Sequence, residues 1–259
     1  MRTERVTLRH AAAPAVVALR EPTGRDEIAV DGVDTRSAVA LLDRLLRGAA
    51  APSAMQLAAA DRDALLAALH RQCWGDRIVT TLTCVACASP FNLSFELSAV
   101  QRHLAANDSC WHADGDGRVV DENGASFKVP RAGDELAVVA DSPRQAAVQL
   151  ALLCGAGPPD IEKASTALEQ AAPIVDLDLT GTCVECGHEH SAHFDLQSFL
   201  LQRLLNEREG LLAEIHTLAS AYGWSLRDIL SLARSTRRSL ASSIAEAQAR
   251  SALRREARR

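Results

Sequence analysis

The sequence predicts a mixed α/β (α+β) protein built from two similar units and a helical C-terminal arm. The main observation is an internal duplication, in which a Cys-x-x-Cys motif occurs at Cys84 and Cys87 and again at Cys183 and Cys186. Similar elements precede each motif in the same order, and such a repeat allows one unit to explain the other. Composition supports the helical content, because alanine and leucine dominate and there are only five Phe, three Trp and one Tyr.

The two copies predict a strand–helix–helix–zinc-knuckle unit. The corresponding positions are a strand near Val16 or Phe127, an acidic helix start at Asp26-Glu27 or Asp134-Glu135, an apolar helix over 37–47 or 143–154, and a second helix from Asp61 or Asp160. Phe95 and Phe194 each lie eight residues after the second cysteine of their motif. Because the acidic pairs recur at helix starts, they are interpreted as charges that favour the helix dipole rather than as catalytic carboxylates.

The duplication divides the chain into four segments. They are a first unit (1–105), a turn-rich linker (106–126), a second unit (127–198) and a helical arm with a basic tail (199–259). Within the linker, Asn123-Gly124 is typical of a type I′ turn in a β-hairpin. The two units are expected to face each other about a pseudo-twofold axis.

The four paired cysteines predict one structural zinc site. Two residues between the thiolates of each motif let both sulfurs reach one ion, and two such motifs supply the closed four-thiolate shell of structural zinc. Cys84, Cys87, Cys183 and Cys186 are therefore the predicted metal ligands. A gap of 95 residues separates Cys87 from Cys183, so a shared site requires the two units to meet.

Two other interpretations of the motifs remain open. Each pair could be a reduced relic or a local disulfide, or the second pair could form its own site with a nearby histidine. These histidines are His188, His190 and His193, which are otherwise interpreted as solvated turn residues. The three remaining cysteines are interpreted as packed thiols, namely Cys73, Cys110 and Cys154.

The C-terminal arm has the spacing of amphipathic helices. Tyr222-Gly223 is predicted to end one helix, and Ser225 to cap the next together with Asp228. The apolar stripe of these helices exceeds what one helical hairpin can bury. Part of it is expected to pack on the second unit and an exposed remainder to bind a partner, and the alternative is that all of it is buried within the chain. The predicted partner-binding residues are Leu204, Leu211, Ile215, Leu218, Trp224 and Ile229.

Charge is distributed unevenly along the chain. The formal net charge is -5, but residues 234–259 contain eight arginines and two glutamates. An acidic body and few aromatics for base stacking make nucleic-acid binding the weaker prediction. Without a phosphate-binding loop, a nucleophile motif or an open metal position, the sequence does not indicate an enzyme. No apolar run is long enough to span a membrane. The odd number of cysteines, seven, favours a reducing environment such as the cytoplasm over a disulfide framework.

The order of these motifs resembles that of the T4-type baseplate hub assembly proteins of contractile phage tails and contractile injection systems. The resemblance is carried by Arg20–Glu27, Asp61–Leu69, Gly75–Cys87 and Phe95–Leu97, and the arm Leu211–Arg238 is similar to that of the long members with two Cys-x-x-Cys motifs. The first motif departs from the family pattern, because Val85, Ala86 and Ala88 replace the usual flanking proline or glycine.

The resemblance implies a non-enzymatic baseplate component or assembly chaperone, whose partners are baseplate and hub proteins. It also implies assembly in the cytoplasm, with the protein either leaving or remaining in the particle. The alternative is a zinc-ribbon protein that binds nucleic acid or regulates through the helical arm and its arginines.

Overall fold

The structure is a computed structural model that describes residues 3–10, 15–48, 51–105, 110–114 and 116–256, and it confirms the mixed α/β class. The strands are β1 (Thr3–Leu8), β2 (Ala15–Arg20), β3 (Leu46–Arg47), β4 (Arg77–Thr83), β5 (Pro90–Glu96), β6 (His112–Ala113), β7 (Arg118–Val120), β8 (Ser126–Lys128), β9 (Asp176–Thr182) and β10 (Glu189–Asp195). The helices are α1 (Gly24–Ile28), α2 (Thr35–Leu45), α3 (Ala59–Trp74), α4 (Leu97–Ala105), α5 (Ala132–Ala137), α6 (Pro143–Leu153), α7 (Ile161–Ala171), α8 (Leu196–Asn206), α9 (Arg208–Tyr222), α10 (Leu226–Ser231) and α11 (Arg234–Glu256).

The longer elements follow a similar order in the two halves, although β3 comes after α2 in the first half and no described strand comes after α6 in the second. A β-hairpin (β1–β2 or β7–β8) is followed by a short helix, two longer helices and a second hairpin (β4–β5 or β9–β10) that leads into a helix. At the start of both short helices an aspartate carboxylate accepts the backbone N–H three residues before it, Asp26 from Thr23 and Asp134 from Arg131, each at 2.8 Å. The acidic helix starts therefore satisfy backbone N–H groups as well as the dipole. The pseudo-twofold relation between the halves stays a prediction.

The segment predicted to be a linker belongs to the second unit where the structure describes it. Strands β6, β7 and β8 form one antiparallel sheet. Val119 and Phe127 of this sheet pack with residues of α6 and α7 in an apolar cluster, named the second core here. The hairpin at 121–125 differs from the predicted type I′ turn, which needs positive φ at both central residues. Only Gly124 has it there (+83°), because the Asp121 carboxylate instead accepts the N–H groups of Asn123 and Ala125.

The main core lies between the first sheet, α2, α3 and α8. Leu200 and Leu201 of α8 are fully buried in the same cluster as Leu65 and Leu66 of α3. The predicted boundary between the second unit and the arm therefore falls inside a helix that completes the core of the first unit. A smaller core between β7, β8, α6 and α7 supports the second unit. Among the described helices, none combines the length and apolarity needed to cross a lipid bilayer.

The arm has the predicted start and stop signals. Gly223 ends α9 in the left-handed conformation (φ +66°), and the Ser225 hydroxyl accepts the N–H of Asp228 at 3.2 Å at the start of α10. The sequence after Ser239, predicted to be a helix or a frayed tail, continues α11 as a helix to Glu256. The arm therefore forms a third small core, around Leu218, Ile229 and Ala241.

Candidate metal centre

Four cysteine side chains from the two distant hairpins converge at one point. Cys84 and Cys87 lie in the turn between β4 and β5, and Cys183 and Cys186 lie in the turn between β9 and β10. Their four Sγ atoms all lie within 4.8 Å of one another. A tetrahedral zinc with Zn–S bonds of about 2.3 Å requires S···S distances of about 3.8 Å. Two distances between the hairpins fit this geometry, 3.5 Å from Cys84 to Cys186 and 3.8 Å from Cys87 to Cys183.

Each pair of cysteines is held by the same backbone turn. The N–H of Cys84 donates to the carbonyl of Ser89, and the N–H of Ala88 donates back to the carbonyl of Cys84. The second turn repeats both hydrogen bonds, from Cys183 to His188 and from Gly187 to Cys183. The residue after the second cysteine has positive φ in both turns, +59° at Ala88 and +73° at Gly187. The first turn thus carries backbone strain that glycine avoids in the second.

The two hairpins pack face to face, and this contact brings the sulfurs together. Phe95 and Phe194 meet edge to face with ring centroids 5.0 Å apart, as expected from their equivalent positions. At Gly181 a Cβ would lie 2.9 Å from Leu93, so the absence of a side chain lets the strands approach. The inner cysteines, Cys84 and Cys183, are buried, whereas Cys87 and Cys186 are exposed.

His190 supports the site from β10, although the sequence interpretation placed it in a solvated turn. Its Nε2 lies 3.2 Å from the Cys84 Sγ, and its ring packs against Phe91 with centroids 4.9 Å apart. It is half-buried because β10 pairs with β9 along its whole length and places His190 opposite Gly181. An imidazole N–H beside a ligating sulfur orients and stabilises a thiolate.

The other two histidines of this hairpin lie apart from the sulfurs. His188 packs edge to face against His190, and His193 pairs with Asp176 and Asp178 on the exposed face. Within the described residues, the four cysteines are the one cluster of at least three ligand side chains. The separate cysteine–histidine site therefore has less support than the shared one.

Proton affinities of the exposed thiols differ in the metal-free arrangement. Hydrogen bonds from the backbone and side chain of Ser89 lower the pKa of Cys87 to about 6. The backbone N–H of His188 lowers the pKa of Cys186, but the neighbouring thiols Cys84 and Cys87 outweigh it and raise that pKa to about 12. Crowded sulfurs cannot all ionise without a cation, and a bound divalent ion removes this conflict.

The geometry is that of a closed metal site. Four thiolates fill a tetrahedral shell and leave no position for a substrate or an activated water. All seven cysteines are free, and the S···S distances exceed the disulfide bond length of about 2.05 Å. The arrangement can hold a metal ion and thereby connect the two units.

The cysteines outside the cluster differ in exposure. Burial raises the pKa of Cys73 to about 12 and of Cys154 to about 11, which is consistent with packed, unreactive thiols. The prediction was wrong for Cys110, which is exposed and precedes the buried Trp111. The indole fills the second core, so the neighbouring thiol points away from it.

Most of the six residues predicted to bind a partner are buried within the chain. The expectation that they form an exposed surface is corrected for those residues. Leu204 packs in the main core, and Leu218 and Ile229 are fully buried between the helices of the arm. The cause is α11, which covers a face of α9 that the sequence left open. Of the six residues, Leu211 is also buried, Ile215 is half-buried and Trp224 is exposed. Partner binding by the arm itself stays a prediction.

A buried charge cluster that the sequence did not indicate fixes the arm to the first unit. Arg234 and Arg237 are only 3% and 1% exposed, and both donate to the Glu27 carboxylate at 2.8–3.0 Å. Arg234 also binds Glu207, and Arg237 donates to Glu214 at 2.7 Å. Two arginines of the basic C-terminal segment are thus occupied by ion pairs within the chain. The repetition of this glutamate was the available sequence signal for an ion pair at Glu27. Glu135, at the equivalent position of the second unit, also pairs with an arginine, Arg62.

Trp74, at the end of α3 in the first unit, takes part in the same cluster. Its indole Nε1 donates to Glu207 at 2.8 Å, and the guanidinium groups of Arg203 and Arg234 lie 4.6 Å and 4.9 Å from the ring centre. Cation–π contacts of this kind contribute about 0.5–2 kcal/mol each. The end of α3, helix α8 and the start of α11 are therefore fastened at one place.

Comparison of the chain with protein-family models, curated proteins and solved structures found no match.

Proposed function

We propose that this chain is a non-enzymatic baseplate component or assembly chaperone of a contractile phage-tail-like injection system, stabilised by a structural zinc. The proposal of a structural metal site rests on one observation. Two separate hairpins bring together the sulfur atoms of Cys84, Cys87, Cys183 and Cys186. A bound zinc would complete its shell with these four thiolates and act as a cross-link rather than as a Lewis acid. The baseplate assignment rests on the order of sequence motifs.

Zinc is the metal that this ligand set favours. Thiolate sulfur is a soft ligand, and a tetrahedral arrangement of four sulfurs suits zinc or an iron–sulfur centre. Such a cross-link suits a protein of an assembly, because two units fastened at their hairpins present a rigid surface to partners. Assembly in the cytoplasm is part of the proposal, since reduced cysteines are maintained there.

The metal proposal is tested by elemental analysis of the purified chain. We expect about one zinc per chain, because all four ligands serve one ion. Cys84→Ser and Cys183→Ser each remove one ligand from a different hairpin, and each should abolish stoichiometric zinc and lower the Tm. The exposed Cys110 lies outside the cluster, so Cys110→Ser is the matched control and should retain both. Two zincs per chain, or none with an unchanged Tm in the Cys→Ser variants, would contradict the shared site.

The baseplate proposal is tested separately by affinity purification from cells that express the injection-system proteins. We expect the tagged chain to retain baseplate or hub proteins, and deletion of its gene to prevent assembly of complete particles. Normal particles in the deletion strain, together with no retained tail protein, would overturn this role. Salt-sensitive retention of DNA would instead support the nucleic-acid alternative. That alternative is weakened because Arg234 and Arg237 are buried in ion pairs.

A further inference from the structure

The last helix extends beyond the helix on which it packs. Arg234 meets Glu207 at the beginning of α9, and Arg238 meets Glu214 further along, so α9 and α11 run in the same direction. At 1.5 Å per residue, their 15 and 23 residues correspond to about 22 Å and 34 Å. All residues from 245 to 250 are exposed. The difference of about 12 Å lets about the last eight residues of α11 extend past the end of α9. The segment 245–256 that contains them is named the overhang here.

The overhang combines small apolar residues with positive charge. Ala241 is buried against α9, and Ala245, Ala249 and Leu253 continue the same four-residue spacing in the sequence. Residues 245–259 contain five arginines and two glutamates. In the sequence, the spacing of the residues that pack on α9 thus continues into the overhang, and basic residues accompany it.

A groove of opposite charge lies between the two units. Its volume is about 640 Å³, and its apolar lining includes Leu104 of α4, Leu150 of α6 and Leu168 of α7. Apart from Arg62, its ionisable lining is acidic and includes Glu135, Glu169, Asp176 and Asp195. An apolar floor with an excess of carboxylates suits a basic, amphipathic helix.

The groove also contains buried donors without acceptors. Arg62 is 6% exposed and binds Glu135 through one nitrogen, but its Nε and Nη1 have no hydrogen-bond partner. The single pair with Glu135 therefore does not satisfy the whole guanidinium group of Arg62.

We propose that the overhang of one copy of this chain binds in the groove of a second copy. Two overhangs would repel each other through their arginines, whereas the groove offers the opposite charge. Helix α11 is anchored by Arg237 and continues without a break, so it cannot fold back onto its own groove without losing helical hydrogen bonds. A head-to-tail contact of this kind uses different surfaces on the two copies and produces a ring or an open chain.

The test is sedimentation velocity of the full-length protein over a concentration series. Self-association should weaken at high salt, since exposed charges are screened. Glu169→Lys in the groove, and the double substitution Arg250→Glu with Arg254→Glu in the overhang, should each raise the Kd about tenfold or more. Glu122→Lys reverses an exposed charge outside the groove and should leave the Kd unchanged.

Mixing the two charge-reversed proteins discriminates a specific contact from general charge effects. Mixing the Glu169→Lys protein with the double-substituted protein restores an opposite-charge contact at this one position, so hetero-association should exceed the self-association of either variant. A wild-type protein that stays monomeric up to about 100 µM, far above the µM range of specific contacts, would overturn the proposal. The proposal would also be overturned if both charge-reversed proteins associate as the wild type does, or if mixing them restores no hetero-association.

Discussion

Arg234 provides the sharpest test of how the arm is held. It is 3% exposed, donates to Glu27 at 2.8 Å and to Glu207, and lies over the ring of Trp74. Arg234→Met keeps an unbranched side chain of similar reach but removes the charge and every hydrogen bond. Glu27, 5% exposed, is then left with Arg237 as its remaining ionic partner.

The expected loss of stability follows from these contacts. Removing one partner of a buried ion pair costs roughly 3–5 kcal/mol, because the other charge stays buried and unpaired. Glu27 keeps Arg237 and Glu207 keeps Arg238, so we expect the lower end of this range, about 3 kcal/mol. For a protein of this size, that corresponds to a decrease in Tm of roughly 6–12 °C.

The loss should also depend on pH. Burial raises the pKa of Glu27, and Arg234 and Arg237 oppose that increase. Without Arg234 the pKa of Glu27 rises further. A carboxyl group with a raised folded-state pKa contributes stability that is present below its unfolded pKa and lost as pH rises through the folded pKa. The deficit of the Arg234→Met protein should therefore be larger at about pH 8 than at about pH 5.

Urea unfolding followed by tryptophan fluorescence measures this effect, since Trp74 lies beside the substituted residue. Arg238→Met is the matched control, because Arg238 lies one turn further along α11 and binds Glu207 and Glu214. Its side chain is 44% exposed, so its ion pairs contribute less than about 1 kcal/mol. If the Arg234→Met protein loses no more stability than the Arg238→Met protein, the buried cluster does not hold the arm.

Two further predictions concern backbone strain and a buried acid. Ala88→Gly should stabilise the protein by about 0.5 kcal/mol, because relief of the left-handed backbone exceeds the entropy that glycine adds to the unfolded chain. Gly187→Ala should lower the free energy of unfolding by about 1 kcal/mol because of the left-handed backbone alone, since no atom lies within 4 Å of the added Cβ. Equal effects of the two substitutions in urea unfolding would contradict the strain argument. Burial raises the pKa of Asp63 to about 7, so the stability that Asp63 contributes is complete below about pH 4 and is lost as pH rises through about 7. Asp63→Asn keeps an acceptor for the N–H of Val175 and should flatten the dependence of Tm on pH in this window, whereas an unchanged profile would exclude Asp63 as its source.

The parts of the fold that sequence predicts are those with local physical signals. The cysteine turns, the Gly223 helix end and the Ser225 cap each depend on a few adjacent residues, and the structure has them at the predicted positions. The turn at Asn123-Gly124 shows the limit of such signals. The preceding Asp121 carboxylate captures the same backbone N–H groups and changes the turn.

The burial of the arm could not be predicted from local signals. Arg234 and Arg237 lie in an arginine-rich segment, where a solvated tail is the usual interpretation, and their partner Glu27 is more than 200 residues away in the sequence. An apolar stripe on α9 likewise predicts a partner surface without revealing whether that partner is another helix of the same chain. Here α11 covers it, and Leu218 and Ile229 are buried as a result.

The chain is therefore fastened at two places that depend on different chemistry. The cysteine cluster joins the hairpins of the two units, and the Glu27 cluster joins α1 and α3 to α8, α9 and α11. A thiolate site responds to chelators and to protonation of its sulfurs, whereas the ion pairs of Glu27 are formed by carboxylates and arginines that bind no metal. Removal of a metal bound at the proposed cysteine site should thus loosen the two hairpins while the arm stays attached, and the overhang of α11 should keep its position relative to the first unit.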